Sequence, residues 1–264
     1  MSQNRQIKNQ TSPFVSMVMP SPVMGWAMDC PAGMLIAPHY HDDAQLIYAA
    51  SGVITVETDD GLWVVPPARA VWVPAGITHS IEMSSKAELR LLYIKPMYAP
   101  IDGAHCCVVQ VSALLRSGIL RVIDFLQPYP RNGPETRLVV VIFDEIRAAE
   151  VAPLHLPMPG DPRARRVAQK FRENPADRRS REAWAQAAHT SERTLERLFH
   201  AQVGTSFGKW QQQARLLKAL QVLAAGETVT NAALEVGFKT PSAFINMFRR
   251  SMVPTPAHYF VAEH

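Results

Sequence analysis

The sequence predicts a two-part α+β chain: an N-terminal β-barrel carrying a helix pair, then an all-α region with two helix-turn-helix units. Three observations predict it. Short runs rich in Val, Ile, Leu, Tyr and Trp fill residues 33–95, split by turn-forming clusters. Helical periodicity replaces them after Pro96. The charge also divides: residues 1–160 hold 11 Lys and Arg against 14 Asp and Glu, while residues 161–264 hold 16 against 9. A polyanionic partner is therefore expected at the C-terminal part.

Composition narrows the class. Of 264 residues, 47% are hydrophobic and 19% charged, which suits a globular chain. The opening MSQNRQIKNQTS is polar and lacks the apolar stretch of a signal peptide. LVVVIF at 138–143 is too short to span a bilayer, so no membrane partner is expected. Three cysteines, Cys30, Cys106 and Cys107, make no disulfide framework and point to a reducing cytoplasm. The adjacent pair is open to two readings, a redox switch and, more commonly for such pairs, small apolar filler.

The expected strands are LIYAA, VITVET, LWVVP, RAVWVP, SIEMS and LRLLYI, joined through SG, DDG, PPA, PAG and SKA. Many short strands with close turns form a sandwich or barrel, assigned to residues 13–100. Residues 101–150 are expected to be a helical connector. One helix is read over 112–127, with Ile119, Val122, Ile123 and Leu126 at helical spacing, and a second over 134–150, with Leu138, Val141, Ile142, Ile146 and Ala149. Their apolar faces suit packing on the barrel or on a second copy. Residues 151–162, with four prolines and a glycine, are expected to be a linker.

Residues 163–264 complete the chain. A helix near 181–188, a turn and a helix near 192–201 form the first helix-turn-helix, with Ser180 and Ser191 as N-caps. A longer helix follows, with Phe207, Trp210, Ala214, Leu217, Gln221 and Ala224 on one face and Gly226 at its end. VTNAALEVGFKTPSAFINMFRRS repeats the pattern, with Thr240-Pro241 as N-cap and first helical residue.

Two such units joined by one helix resemble the AraC-type family of transcriptional regulators over about 100 residues. SERTLERLF, GFKTPSAFINMFRR and TPAHYF carry the likeness. It implies two units on successive major grooves of double-stranded DNA, a homodimer, and contact with RNA polymerase. On the first reading helix it leaves Glu192, Arg193, Glu196 and Arg197 exposed, with Leu195, Leu198 and Phe199 inside. Arg193 and Arg197 suit guanine, and Glu196 suits cytosine N4 or the orientation of an arginine. On the second helix Ser242, Ala243 and Asn246 face out, with Phe244 and Phe248 inside. Asn246 suits adenine and Ala243 a thymine methyl. Lys209, Arg215, Lys239, Arg249 and Arg250 are expected on phosphates, which position without specifying. Two departures stand out: His189 where the family places glycine in the first turn, and Val253-Pro254 before TPAHYF.

In HYHDDAQ, His39 and His41 stand two apart, so a strand would turn both to one side. GMLIAPHYHDDAQLIYAASG and AVWVPAGITHSIEM resemble the two cupin motifs, with Gln45 where glutamate is typical. The resemblance implies a double-stranded barrel in which Gln45 and His79 complete a four-ligand set with His39 and His41. Three imidazoles suit one divalent transition metal: Zn, Ni, Fe, Cu or Mn. The amide removes one negative charge and weakens the site.

Three readings follow: a metal site that senses the ion or a ligand docked on it, a metal-free pocket for an organic effector, or an oxygenase or isomerase. Tyr48 and Trp72 are the expected ligand contacts, ahead of Trp63 and Tyr93. The combined expectation is a DNA-binding transcription regulator controlled by a small molecule or metal, with no catalytic residues. The alternative is a cupin metalloenzyme with an accessory nucleic-acid-binding part.

Overall fold

The computed structural model describes residues 19–252 and 255–259. MSQNRQIKNQTS and the Val253-Pro254 departure lie outside them. The chain divides into two compact units. One holds residues up to 58 together with 63–155, and the other holds 59–62 with residues from 156 onward.

The first unit contains β1 (Val23–Cys30), β2 (Leu35–His39), β3 (Ala44–Ser51), β4 (Ile54–Thr58), β5 (Gly61–Val65), β6 (Arg69–Val73), β7 (His79–Met83) and β8 (Ala87–Ile94). After them come β9 (Cys107–Gln110), α1 (Ala113–Ile123), α2 (Pro134–Ala148), β10 (Val151–Ala152) and β11 (His155–Pro157); β5 begins and β11 ends in residues of the second unit. Two sheets form a barrel-like sandwich, ordered β1-β8-β3-β6-β9-β10 and β11-β5-β4-β7-β2. Four strands differ from expectation. β1 precedes the first expected strand, β9 lies inside the expected helical connector, and β10 and β11 lie inside the expected linker, β10 pairing with β9.

Strand alternation sorts β3 into two faces. Ala44, Leu46 and Tyr48 join Trp72, Leu92 and Ile94 in a core under α1 and α2, which add Leu115, Ile119, Val122, Ile142 and Ile146. Gln45 points the other way. Gly25 allows the close seat of α1 on β1, because a Cβ there would meet Ile123 N at 2.7 Å. Gly118 does the same between the helices, where a Cβ would lie 2.8 Å from Ile142 Cγ1.

Ser112 caps α1 by accepting from Leu115 N–H. The helix stops at Ile123, short of the expected 127, and Leu126 stands 89% exposed beyond it. On α2 the buried residues are Val139, Ile142, Phe143 and Ile146, while Val141 faces solvent. In the run LVVVIF every residue is apolar, so periodicity alone cannot choose the face.

The second unit is built of α3 (Pro162–Glu173), α4 (Arg181–Ala187), α5 (Glu192–Val203), α6 (Phe207–Ala224), α7 (Val229–Glu235), α8 (Pro241–Ser251) and α9 (Pro256–Tyr259). Ser180, Ser191, Ser206, Thr228 and Thr240 each cap a helix by accepting from the backbone N–H three residues on. Phe171, Trp184, Phe199, Phe207 and Trp210 form its aromatic core. Trp210 Nε1 donates to Pro157 O at 2.7 Å. α6 buries more than the single expected face. Leu216, Ala219, Leu220 and Val222 are buried too, whereas Gln221 and Ala224 are half-buried. A helix packed against both helix-turn-helix units loses the one-sided pattern of a surface helix.

His189 and Gly237 each stand two residues past the short first helix of a unit. Both adopt left-handed backbone, with φ of 53° and 86°. At Gly237 a Cβ would also meet Ala176 Cα at 2.9 Å.

Candidate effector cluster and nucleic-acid interface

His39 ends β2, His79 opens β7, and the two are cross-strand partners. His41 sits in the loop after β2 rather than on the strand, yet returns to the same centre. Gln45 enters from β3. Relative exposures are 9% for His39, 4% for His41, 1% for Gln45 and 1% for His79. Ring centroids lie 4.4 Å apart for His39–His79, 5.2 Å for His41–His79 and 5.8 Å for His39–His41. One nitrogen from each ring lies within 4.8 Å of the others.

Local hydrogen bonds fix what these rings present. His39 Nδ1 contacts Ala37 O at 2.9 Å, His41 Nδ1 contacts Asp43 O at 2.7 Å, and His79 Nδ1 contacts Ile77 O at 2.9 Å. A carbonyl only accepts, so each Nδ1 carries a proton, and in the neutral ring Nε2 then keeps its lone pair. His79 Nε2 is buried without a hydrogen-bond partner among the described residues. His41 Nε2 lies 3.3 Å from Gln45 Oε1. Three ring nitrogens within reach of one another, with the Gln45 amide beside His41, make a donor set that fits a cation.

Burial favours the neutral rings of His39 and His79. It lowers the His39 pKa, against the pull of the Ala37 carbonyl and with help from His41. At His79 burial dominates and brings the pKa to about 4; the Ile77 carbonyl opposes, and His39 and His41 add to the fall.

Tyr48 and Trp72 do not belong to this cluster. Both are 1% exposed in the core under α1 and α2, on the opposite sheet face from Gln45. The aromatic residue that meets the cluster is Tyr93, paired across the sheet with Gln45 and edge-on to His41 at 5.3 Å. Trp63 stacks on His155 at 4.4 Å.

In the second unit Glu192, Arg193 and Arg197 are exposed on α5, and Ser242, Ala243, Asn246, Arg249 and Arg250 on α8. Lys239, before α8, and Lys209, on α6, are exposed too. Leu195, Leu198, Phe199, Phe244 and Phe248 are buried.

Two expected contacts are committed elsewhere. Glu196 accepts from Phe207 N–H at 3.1 Å and pairs with Arg181 at 3.6 Å, so it ties α5 to the start of α6 instead of facing a base. Arg215 is half-buried; its Nε donates to Pro175 O at 3.0 Å, and its guanidinium lies 5.2 Å from the Phe171 ring centre. Burial, then Arg178, lowers its pKa. Its Nε is committed within the fold, while the residue also lines one cavity with Lys209 and Arg250. Sequence reasoning missed Gln212, which lines a cavity of about 490 Å³ with Lys209, Ala243, Asn246 and Arg250. Its spacing of three from Lys209 puts both on one side of α6.

A barrel-like unit holding a buried imidazole cluster, followed by paired helix-turn-helix units, defines a ligand-sensing DNA-binding protein. Comparison with known proteins agrees. Residues 29–105 match the model of the AraC-like ligand binding domain, and residues 184–261 match a helix-turn-helix domain model. The HTH-type transcriptional regulator NimR of Escherichia coli (strain K12) is 36% identical over 221 residues, covering 84% of this chain and 81% of that protein. The HTH-type transcriptional regulator RipA of Corynebacterium glutamicum is 37% identical over 103 residues, 39% of this chain and 31% of that protein. A crystal structure of unsaturated fatty acid bound wild-type ToxT from Vibrio cholerae strain SCE256 shares 11% identity at a TM-score of 0.38, covering 90% of this chain and 94% of that one. The chain belongs to the AraC-type family of transcriptional regulators. It is a DNA-binding regulator with a ligand-binding domain, and the enzyme alternative draws no support from its relatives. Among the described residues no helix is long and apolar enough to cross a membrane.

Proposed function

We propose that this regulator senses through the cluster of His39, His41, Gln45 and His79, which holds one divalent transition metal, and that the ion or a ligand docked on it sets affinity for DNA. The observation that carries the reading is the convergence of three Nε2 lone pairs and Gln45 Oε1 in a buried space. When bound, the ion supplies a Lewis-acidic point on which an effector can dock. The chain's part is to hold the rings by their Nδ1–H groups and keep the site dry.

In the second unit Arg193, Arg197, Ser242, Ala243 and Asn246 read base edges, with Glu192 beside them. Lys209, Lys239, Arg249 and Arg250 hold phosphates, and their exposure supports both assignments. The effector acts by binding one of two conformations more tightly. A homodimer fits the apolar residues left outside on α1 and α2: Leu114 at 53% and Val140 at 53% exposure. Work on RNA polymerase in the cytoplasm completes the reading. The sensing role falls to the first unit and DNA binding to the helices from α3 onward.

The test is the metal content of tag-free protein by elemental mass spectrometry, beside a His39→Ala/His79→Ala variant. Near-stoichiometric metal in the parent and none in the variant is expected. No metal in either, after incubation with Zn, Ni and Fe salts, overturns the metal reading and leaves an organic-effector pocket.

A further inference from the structure

The donor set carries no charge. Three imidazoles and one amide converge, and no carboxylate joins them among the described residues. Their surroundings are apolar. On the face that Gln45 shares, the cross-strand rows are Ile47 with Val71 and Leu91, and Gln45 with Val73 and Tyr93. Ile47, Val71 and Val73 are fully buried, and Leu91 nearly so. A divalent ion held here draws no negative charge from its donor atoms; the Asp43 carboxyl acts on His41 only from outside the donor set, and burying an incompletely paired charge is costly. A glutamate at position 45 would cancel part of that charge; Gln45 does not.

We infer that the effector of this site is an anion, a carboxylate or similar oxygen acid, whose charged donor atom completes the metal's coordination. The inference rests on the metal reading above. The same amide that weakens the hold on the ion makes the ion a stronger anion receptor. Metal and anion therefore bind cooperatively, each raising the other's affinity. A neutral ligand of the same shape supplies a donor atom but no charge, and gains little from the ion.

The experiment uses the full chain loaded with Co(II), whose visible absorption reports the ligands on the ion. At pH 7.5 it is titrated with acetate, azide and the neutral isostere acetamide. In the parent, acetate and azide are expected to shift the spectrum with affinities at least about tenfold above that of acetamide. The Gln45→Glu variant is expected to bind Co(II) more tightly and acetate at least about tenfold more weakly. Acetamide binding as well as acetate in the parent overturns the inference whatever the variant does. So does unchanged acetate affinity in a Gln45→Glu protein that binds Co(II). Parent protein that binds no Co(II) overturns the metal reading and this inference together. Co(II) binding without anion preference overturns this inference alone.

Discussion

The imidazole cluster and the reading helices handle polar groups in opposite ways. In the barrel every donor atom is buried, and each ring is pinned by a carbonyl within two residues before any ligand arrives. Arg193 and Arg197 on α5 and Asn246, Arg249 and Arg250 on α8 stand in solvent, and in the proposed reading their geometry is completed only against DNA. The first arrangement selects by fixed shape and by the cost of an unmatched charge. In the proposed reading the second selects by charge-steered encounter and by the donor and acceptor pattern of base edges.

The largest expected effect tests the fixed side. His79 has a folded pKa of about 4, below the value near 6.5 of an exposed histidine. The unfolded chain therefore binds its proton first as pH falls. Stability from the neutral ring is fully present above about 6.5 and is lost progressively towards about 4, by on the order of 3 kcal/mol. Urea unfolding of metal-free protein across this range checks it. A flat profile breaks the claim that the cluster is buried and neutral.

On the reading side, Arg197→Ala is expected to cost about 1–3 kcal/mol of operator affinity and to relax the preference at one base pair. Competition binding against single-site variants of a selected duplex measures both. Unchanged affinity and preference contradict the assignment of α5. Glu196 sharpens the contrast, because it sits on the reading helix but is committed inside the unit. Glu196→Ala is expected to lower stability by about 1 kcal/mol while leaving base preference intact; a changed preference returns it to the reading surface. The smallest effect concerns the first turn. His189→Gly should relieve left-handed strain and raise the melting temperature slightly, the net gain being about 1 kcal/mol or less once glycine's extra unfolded entropy is counted.

What the sequence made legible was local. Ser180, Ser191 and Thr240 act within three residues, so their caps were readable. The histidines were readable because motif spacing placed them, although His41 reaches the cluster from a loop. Tyr48 was misplaced against a rule already in hand: three residues from Gln45 on one strand means opposite faces. Glu196 and Arg215 were not legible, since their partners lie 11 and 40 residues away. β9 and β10 escaped for a related reason. Short strands earn their identity from pairing, and Val151–Ala152 pairs with Val108–Val109 across both helices of the connector.

The central claim is that the cluster governs the reading helices, and one titration tests it most directly. Full-length protein is first used to select an operator from randomised duplexes. Its affinity is then measured metal-free and with the metal found to bind, in the parent and in the His39→Ala/His79→Ala variant. A coupling of about 1–3 kcal/mol is predicted, a change of roughly fivefold or more in the parent and none in the variant. Parent protein that takes up stoichiometric metal yet binds the operator with one affinity in both conditions would contradict the account.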